Sequence, residues 1–163
     1  MNMFGDMLTK NREWGDGDWV NEPGLYEPQW FEYKGYSCVA YRNYHGSWCG
    51  YVKIPNTSKF SCNDDDIDVH GGITYSGNSL PFEDKEEADF TWIGFDCGHF
   101  DDYQPRSEKI TMTLVDAAPG DLQDKYFQLK RKMESWQLKK YRTLEFVKDE
   151  CSKIVDQVEV GND

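Results

Sequence analysis

At 163 residues the chain is long enough to bury a core without staples, and with 38% hydrophobic but 15% aromatic residues that core must lean on Trp, Tyr and Phe. The formal net charge of -12 sits in the first two-thirds: residues 1–116 carry 9 Lys and Arg against 21 Asp and Glu, whereas residues 117–162 carry 9 against 8. Such a surface repels a phosphate backbone and argues against direct nucleic-acid binding.

The N-terminus has no apolar signal region, and no window approaches a membrane span, so the expected compartment is the cytoplasm. Five cysteines, Cys38, Cys49, Cys62, Cys97 and Cys151, form no CxxC pair, which supports neither a zinc ribbon nor a disulfide framework.

Residues 1–29 follow no period and predict an irregular arm anchored by Trp14, Trp19 and Tyr26, ahead of a single α+β domain over residues 30–163. From Trp30, short aromatic and β-branched runs broken at Lys34-Gly35 and His45-Gly46-Ser47 predict a three-stranded antiparallel meander ending at Pro55. Residues 56–66 read as a loop. Residues 67–76 alternate as a strand bent at Gly71-Gly72.

An acidic loop follows, then a strand over residues 90–97 that puts Trp92, Gly94 and Asp96 on one face and Ile93, Phe95 and Cys97 on the other. "KITMTLV", residues 109–115, suggests a further strand or β-arm. Two helices close the chain, one with the stripe Leu122, Tyr126, Leu129, Met133 and Trp136, the other with Leu144, Val147, Cys151, Ile154 and Val158. The expected fold is α+β, an antiparallel β-sheet with C-terminal helices packed on it.

Two segments carry chemistry: "DDIDVHGGITYS" and, some twenty residues on, "FTWIGFDCGHFDD". A metal reading draws on His70, Asp96, His99 and Asp102, with Asp101 as an alternative ligand, because imidazole and carboxylate suit zinc, manganese or iron. A ligand reading draws on His70, Gly71, Gly72, Thr74, Ser76, Asp96 and His99. Glycines admit a phosphate close to the backbone, hydroxyls hydrogen-bond it, and Trp48 or Trp92 would wall the pocket. Aromatics at Trp30, Tyr33, Tyr36, Tyr41 and Tyr44 offer stacking surface, although at strand positions such rings more often pair across the sheet. Cys97 lies two residues before His99, but flanking acids disfavour its thiolate, and a buried structural role is expected. The Asp64–Asp68 run lacks the glycine and closing glutamate of a calcium loop.

Four segments, Trp48-Cys49-Gly50-Tyr51, Asp68 to Ser76, Trp92 to His99 and Tyr141 to Val147, resemble a family of small tailed-phage and prophage proteins bearing HGG-[IL]-T and GFDC-x-H. The resemblance spans residues 45–158 with gaps. It implies phage origin and carries no catalytic role. By analogy with phage anti-defence proteins of this size, the expectation is a non-enzymatic protein in the cytoplasm of an infected bacterium that sequesters a small polar ligand, a host immune signalling nucleotide. Two alternatives stand beside it: a metal-dependent hydrolase of a nucleotide or phosphoester, and an acidic inhibitor that binds a host defence protein. No motif specifies a cofactor beyond the divalent metal of the hydrolase reading, and the aromatic N-terminus offers a surface for self-association.

Overall fold

The computed structural model describes residues 11–61, 63–134 and 139–161. Strands β1 (Gln29–Tyr33), β2 (Tyr36–Arg42), β3 (Trp48–Pro55), β4 (Tyr75–Gly77) and β5 (Phe90–Asp96) form one antiparallel sheet in the order β1-β2-β3-β5-β4. The β1–β2 hairpin closes on Lys34 and Gly35, whose φ angles of 49° and 82° match the twist that a two-residue turn needs. In the β2–β3 connection, Asn43 Oδ1 accepts the amides of His45 and Ser47 at 2.9 and 3.1 Å, and Gly46 turns at φ 86°. The meander is therefore as the sequence predicts.

Among the described residues there are three α-helices: α1 (Pro105–Asp116), α2 (Gly120–Glu134) and α3 (Leu144–Gly161). The fold is α+β. Helix α3 lies across β2 and β3 and buries Leu144, Val147, Cys151, Ile154 and Val158 against Cys38, Ala40, Val52, Ile93 and Phe95. A Cβ added to Gly50 would stand 2.5 Å from the Phe95 ring and 2.8 Å from Cys151 Sγ, so this glycine sets how closely the helix approaches the sheet. The opposite face carries a smaller cluster of Val39, Cys49, Tyr51, Leu80 and Trp92. No helix among the described residues is long and apolar enough to cross a membrane.

Four sequence expectations change. Residues 109–115 are helical, within α1; Pro105 starts the helix at its first turn, and Thr113 Oγ1 donates to Lys109 O at 2.9 Å, so the β-branched run is absorbed by local bonding. Of residues 67–76 only the last two are strand. Ile67 and Val69 insert into the α3 core instead, and Gly71 and Gly72, with φ of 71° and 80°, reverse the chain before β4. Helix α2 lies against α1 rather than on the sheet, leaving Leu122 and Leu129 exposed; the side chain of Met133 and all of Trp136 lie outside the described residues. In the arm, Trp14 and Trp19 are buried with Leu25, while Tyr26, at φ 64°, is exposed.

Candidate functional site

Three separate segments converge at the end of β5 next to α3. The first is the turn carrying His70. Gln157 of α3 grips it at both backbone groups of Asp68, donating to the carbonyl and accepting from the amide at 2.8 Å each, and Glu150 Oε2 accepts the His70 amide at 3.1 Å. The imidazole then stands edge-on to Phe146 with ring centroids 5.3 Å apart. A helix face thus fixes a loop that has no strand partner of its own.

The second segment leaves β5. Asp96 Oδ1 accepts the Gly98 amide at 2.9 Å, an Asx turn that bends the chain, and Asp96 Oδ2 accepts the Thr74 hydroxyl at 3.1 Å. His99 and Asp102 then bond reciprocally: the Asp102 amide donates to His99 O and the His99 amide to Asp102 Oδ2, both at 3.0 Å. The third segment, residues 139–143, pairs with this turn. Lys140 N donates to Asp101 O at 2.8 Å and Tyr103 N to Lys140 O at 2.9 Å, which carries Arg142 to the same place.

Asp102 is the centre. Its side chain is 0% exposed, and His70 Nε2 lies 2.9 Å from Oδ2 and 3.0 Å from Oδ1. His99 Nδ1 lies 3.2 Å from Oδ2, and Arg142 Nε donates to Oδ1 at 2.9 Å. Burial works against ionisation, but the hydrogen bonds from His70, Arg142 and the His99 amide outweigh it and hold the Asp102 carboxyl below the usual carboxylate range. Around this floor the rim is open. The side chains of His99, Asp96 and Asp101 are 33%, 36% and 54% exposed, with His99 Nε2 3.9 Å from Asp96 Oδ1 and Arg142 Nη2 3.3 Å from Asp101 Oδ2. Gly71 is required here twice over, by its φ and because a Cβ would lie 2.0 Å from the His99 ring.

His70, Gly71, Thr74, Asp96, His99 and Asp102 are therefore brought together, and Gly72 adjoins them with open space beside its Cα. Others are not. Ser76 pairs with Ile93, three residues along β5 from Asp96. Trp48 is wholly buried under the Arg42 guanidinium, 4.2 Å from its ring, and cannot wall an open site. Trp92 lies in the cluster on the other face, edge-on to Trp30, and Tyr33 and Tyr36 pack at the α3 core. Tyr41 stacks on Phe82 with centroids 4.0 Å apart, and Tyr44 lies under Arg106.

Cys97 is buried, and burial first, then Asp102, pushes its thiol well above the ordinary range, which fits a structural thiol. Sequence patterns alone assign no site role to Arg142 or Glu150. Arg142 stands beside Thr143, which caps α3 by accepting the Phe146 amide at 3.1 Å, and a charged residue next to a helix cap is too ordinary a signal to single out.

Away from this site, a cavity of about 210 Å³ is lined by Gly35, Tyr36, Lys53 and Phe90, and an open one of about 500 Å³ lies among the arm residues Asn11, Val20, Glu22 and Leu25. No protein-family model, curated protein or solved structure matches the chain.

Proposed function

We propose that this chain is a phage-encoded binding protein that captures a small, hydroxyl-rich polar ligand, a host immune signalling nucleotide, and withholds it without cleaving it. The observation that carries this reading is the division of the site into a fixed floor and an open rim. Asp102 is fully enclosed and multiply bonded, while one edge of His99 and the carboxylates of Asp96 and Asp101 face solvent. Carboxylates in that position accept ribose hydroxyls or base amines, and imidazole edges donate to acceptors on the same ligand. The phage origin rests on the resemblance of the HGG-I-T and GFDC-x-H segments.

Native mass spectrometry of the freshly purified chain, compared with its denatured mass, tests the proposal. The expected result is an added small-molecule mass that denaturation releases intact and that Asp96→Ala loses. A bare mass that stays bare after incubation with cyclic dinucleotides and ADP-ribose-type nucleotides would overturn it. Recovery of a cleaved ligand would favour metal-dependent phosphoester hydrolysis, a reading supported by the two imidazoles and one carboxylate that converge at this place.

A further inference from the structure

Three carboxylates, Asp96, Asp101 and Asp102, share this cluster with one guanidinium, Arg142, so among its carboxylate and guanidinium groups negative charge is in excess. Bare, such a set repels phosphate and attracts a cation. We propose that His70, His99 and Asp102 bind one divalent first-row cation, of the zinc or manganese type, and that this ion supplies the positive charge that draws an anionic ligand to the site. This deepens the capture reading, because it concerns the same residues, and its account of the ligand rests on that reading.

The donor set is the first support. Two imidazole nitrogens and one carboxylate, with ligand atoms all within 4.8 Å of one another, suit zinc, manganese or iron and leave coordination positions free. The second support is spacing. Donors about 2.1 Å from a common ion stand about 3.0 Å apart at a right angle and about 3.4 Å apart at the tetrahedral angle. His70 Nε2 and His99 Nδ1 lie 2.9 and 3.2 Å from Asp102 Oδ2. The same atoms contact one another when no ion is bound, so uptake requires the protons held between the two imidazoles and Asp102 to leave for solvent or for the far ring nitrogens.

The third support is the set of groups that would hold the ligands in place. Arg142 Nε holds Asp102 Oδ1, and Glu150 and Gln157 lock the His70 turn to α3. Donors behind ligating carboxylates and contacts that fix a ligand's backbone set ligand orientation at metal centres. Because Asp102 is enclosed and His99 is partly exposed, the free coordination positions face the rim, where water or a phosphate oxygen enters.

The full chain, stripped with chelator and dialysed, is titrated with Zn²⁺ and with Mn²⁺ by calorimetry, and uptake is counted by elemental analysis. Co²⁺ serves as an absorbing probe of coordination. One equivalent is expected, with a cobalt d–d spectrum, and His99→Ala should weaken binding at least about tenfold. His45→Ala, at the exposed histidine bonded to Ser107, should leave it unchanged. His99 is partly exposed, so the variant should keep its melting temperature, and His70→Gln serves as a second variant.

Absence of saturable uptake, or retention of wild-type affinity by a folded His99→Ala, would overturn the metal centre. Metal uptake with no nucleotide capture would uphold it and overturn the capture reading. Capture that persists in excess chelator, with no metal uptake, would do the reverse.

Discussion

Asp102→Asn tests whether the enclosed carboxylate is the keystone of the site. The substitution preserves volume, so no cavity opens, and the losses are electrostatic. The asparagine oxygen can still accept from Arg142 Nε, now as a neutral acceptor, while its amide group meets the His99 backbone N–H as donor against donor. An orphaned buried amide costs ~1–3 kcal/mol. Breaking a buried ion pair costs ~3–5 kcal/mol, but Arg142 keeps Asp101 at 3.3 Å, which lowers that contribution. Together these give a loss of ~2–4 kcal/mol.

Urea unfolding at pH 7 in excess chelator measures this loss without a metal contribution. The pH dependence gives a second reading. The folded carboxyl titrates below the unfolded one, so its stabilisation is complete above the ordinary aspartate value of about 4 and disappears as pH falls through the lower folded value, where the unfolded chain has already taken up its proton. The variant should therefore show a shallower loss of stability in acid than the wild type. A variant within ~0.5 kcal/mol of wild type at pH 7, the scatter of ordinary surface substitutions, together with an unchanged acid limb, would refute the argument.

Three other perturbations follow from the packing. Gly50→Ala forces a methyl group against Phe95 and Cys151, so a loss of ~1–3 kcal/mol is expected from thermal melts, and a neutral result would mean that α3 can lift from the sheet without cost. Arg42→Ala removes a fully buried guanidinium that donates to Pro23 O, Gly46 O, Tyr141 and Glu22, and should destabilise by ~3–5 kcal/mol in chemical denaturation. Burial first, and then Glu32 for Cys38 and Asp96 for Cys49, pushes these two thiols up to about 12, and burial likewise raises Cys97 and Cys151 well above the ordinary thiol range. Alkylation at pH 8 should leave all four unlabelled until urea unfolds the chain, as peptide mapping would show.

What the sequence made legible follows how locally each feature is determined. The meander could be read because its turns are written in adjacent residues, Lys34-Gly35 and Asn43 to Ser47, and the α3 stripe because five buried positions repeat at helical spacing. The α1 segment could not, since Ile110, Thr111, Thr113 and Val115 favour strand intrinsically and only Pro105 and the backbone bonds of the thread leading into it favour helix. The alternation of Ile67 and Val69 was real but had another cause: both side chains enter the core while the backbone between them is held by Gln157, from a helix some ninety residues away. His70, Asp96, His99 and Asp102 could be shortlisted by chemistry. That Asp102 would be the enclosed one depended on the pairing of residues 101–103 with residue 140, which no spacing encodes.

Among the described residues, one ionic cluster forms around Arg42 and another around Asp102, and they differ in charge balance and exposure. Around Arg42 the charges balance and the guanidinium is fully buried: it lies against Trp48 and Trp14, and Glu22, whose side chain is only slightly exposed, accepts from Arg42, Trp48 Nε1, Tyr141 and the Leu144 amide. Such an arrangement joins the arm, the sheet and the start of α3. Around Asp102 the carboxylates outnumber the cations and the rim is wet, so like charges repel where a scaffold would have no need of them. The two clusters meet in consecutive residues: Tyr141 bonds into the first and Arg142 into the second. The Arg42 cluster therefore helps to fix the position from which Arg142 holds Asp102. A rigid balanced knot that indexes an unbalanced, solvent-facing one is the arrangement expected of a preorganised site, in which ordering is completed during folding rather than on ligand arrival.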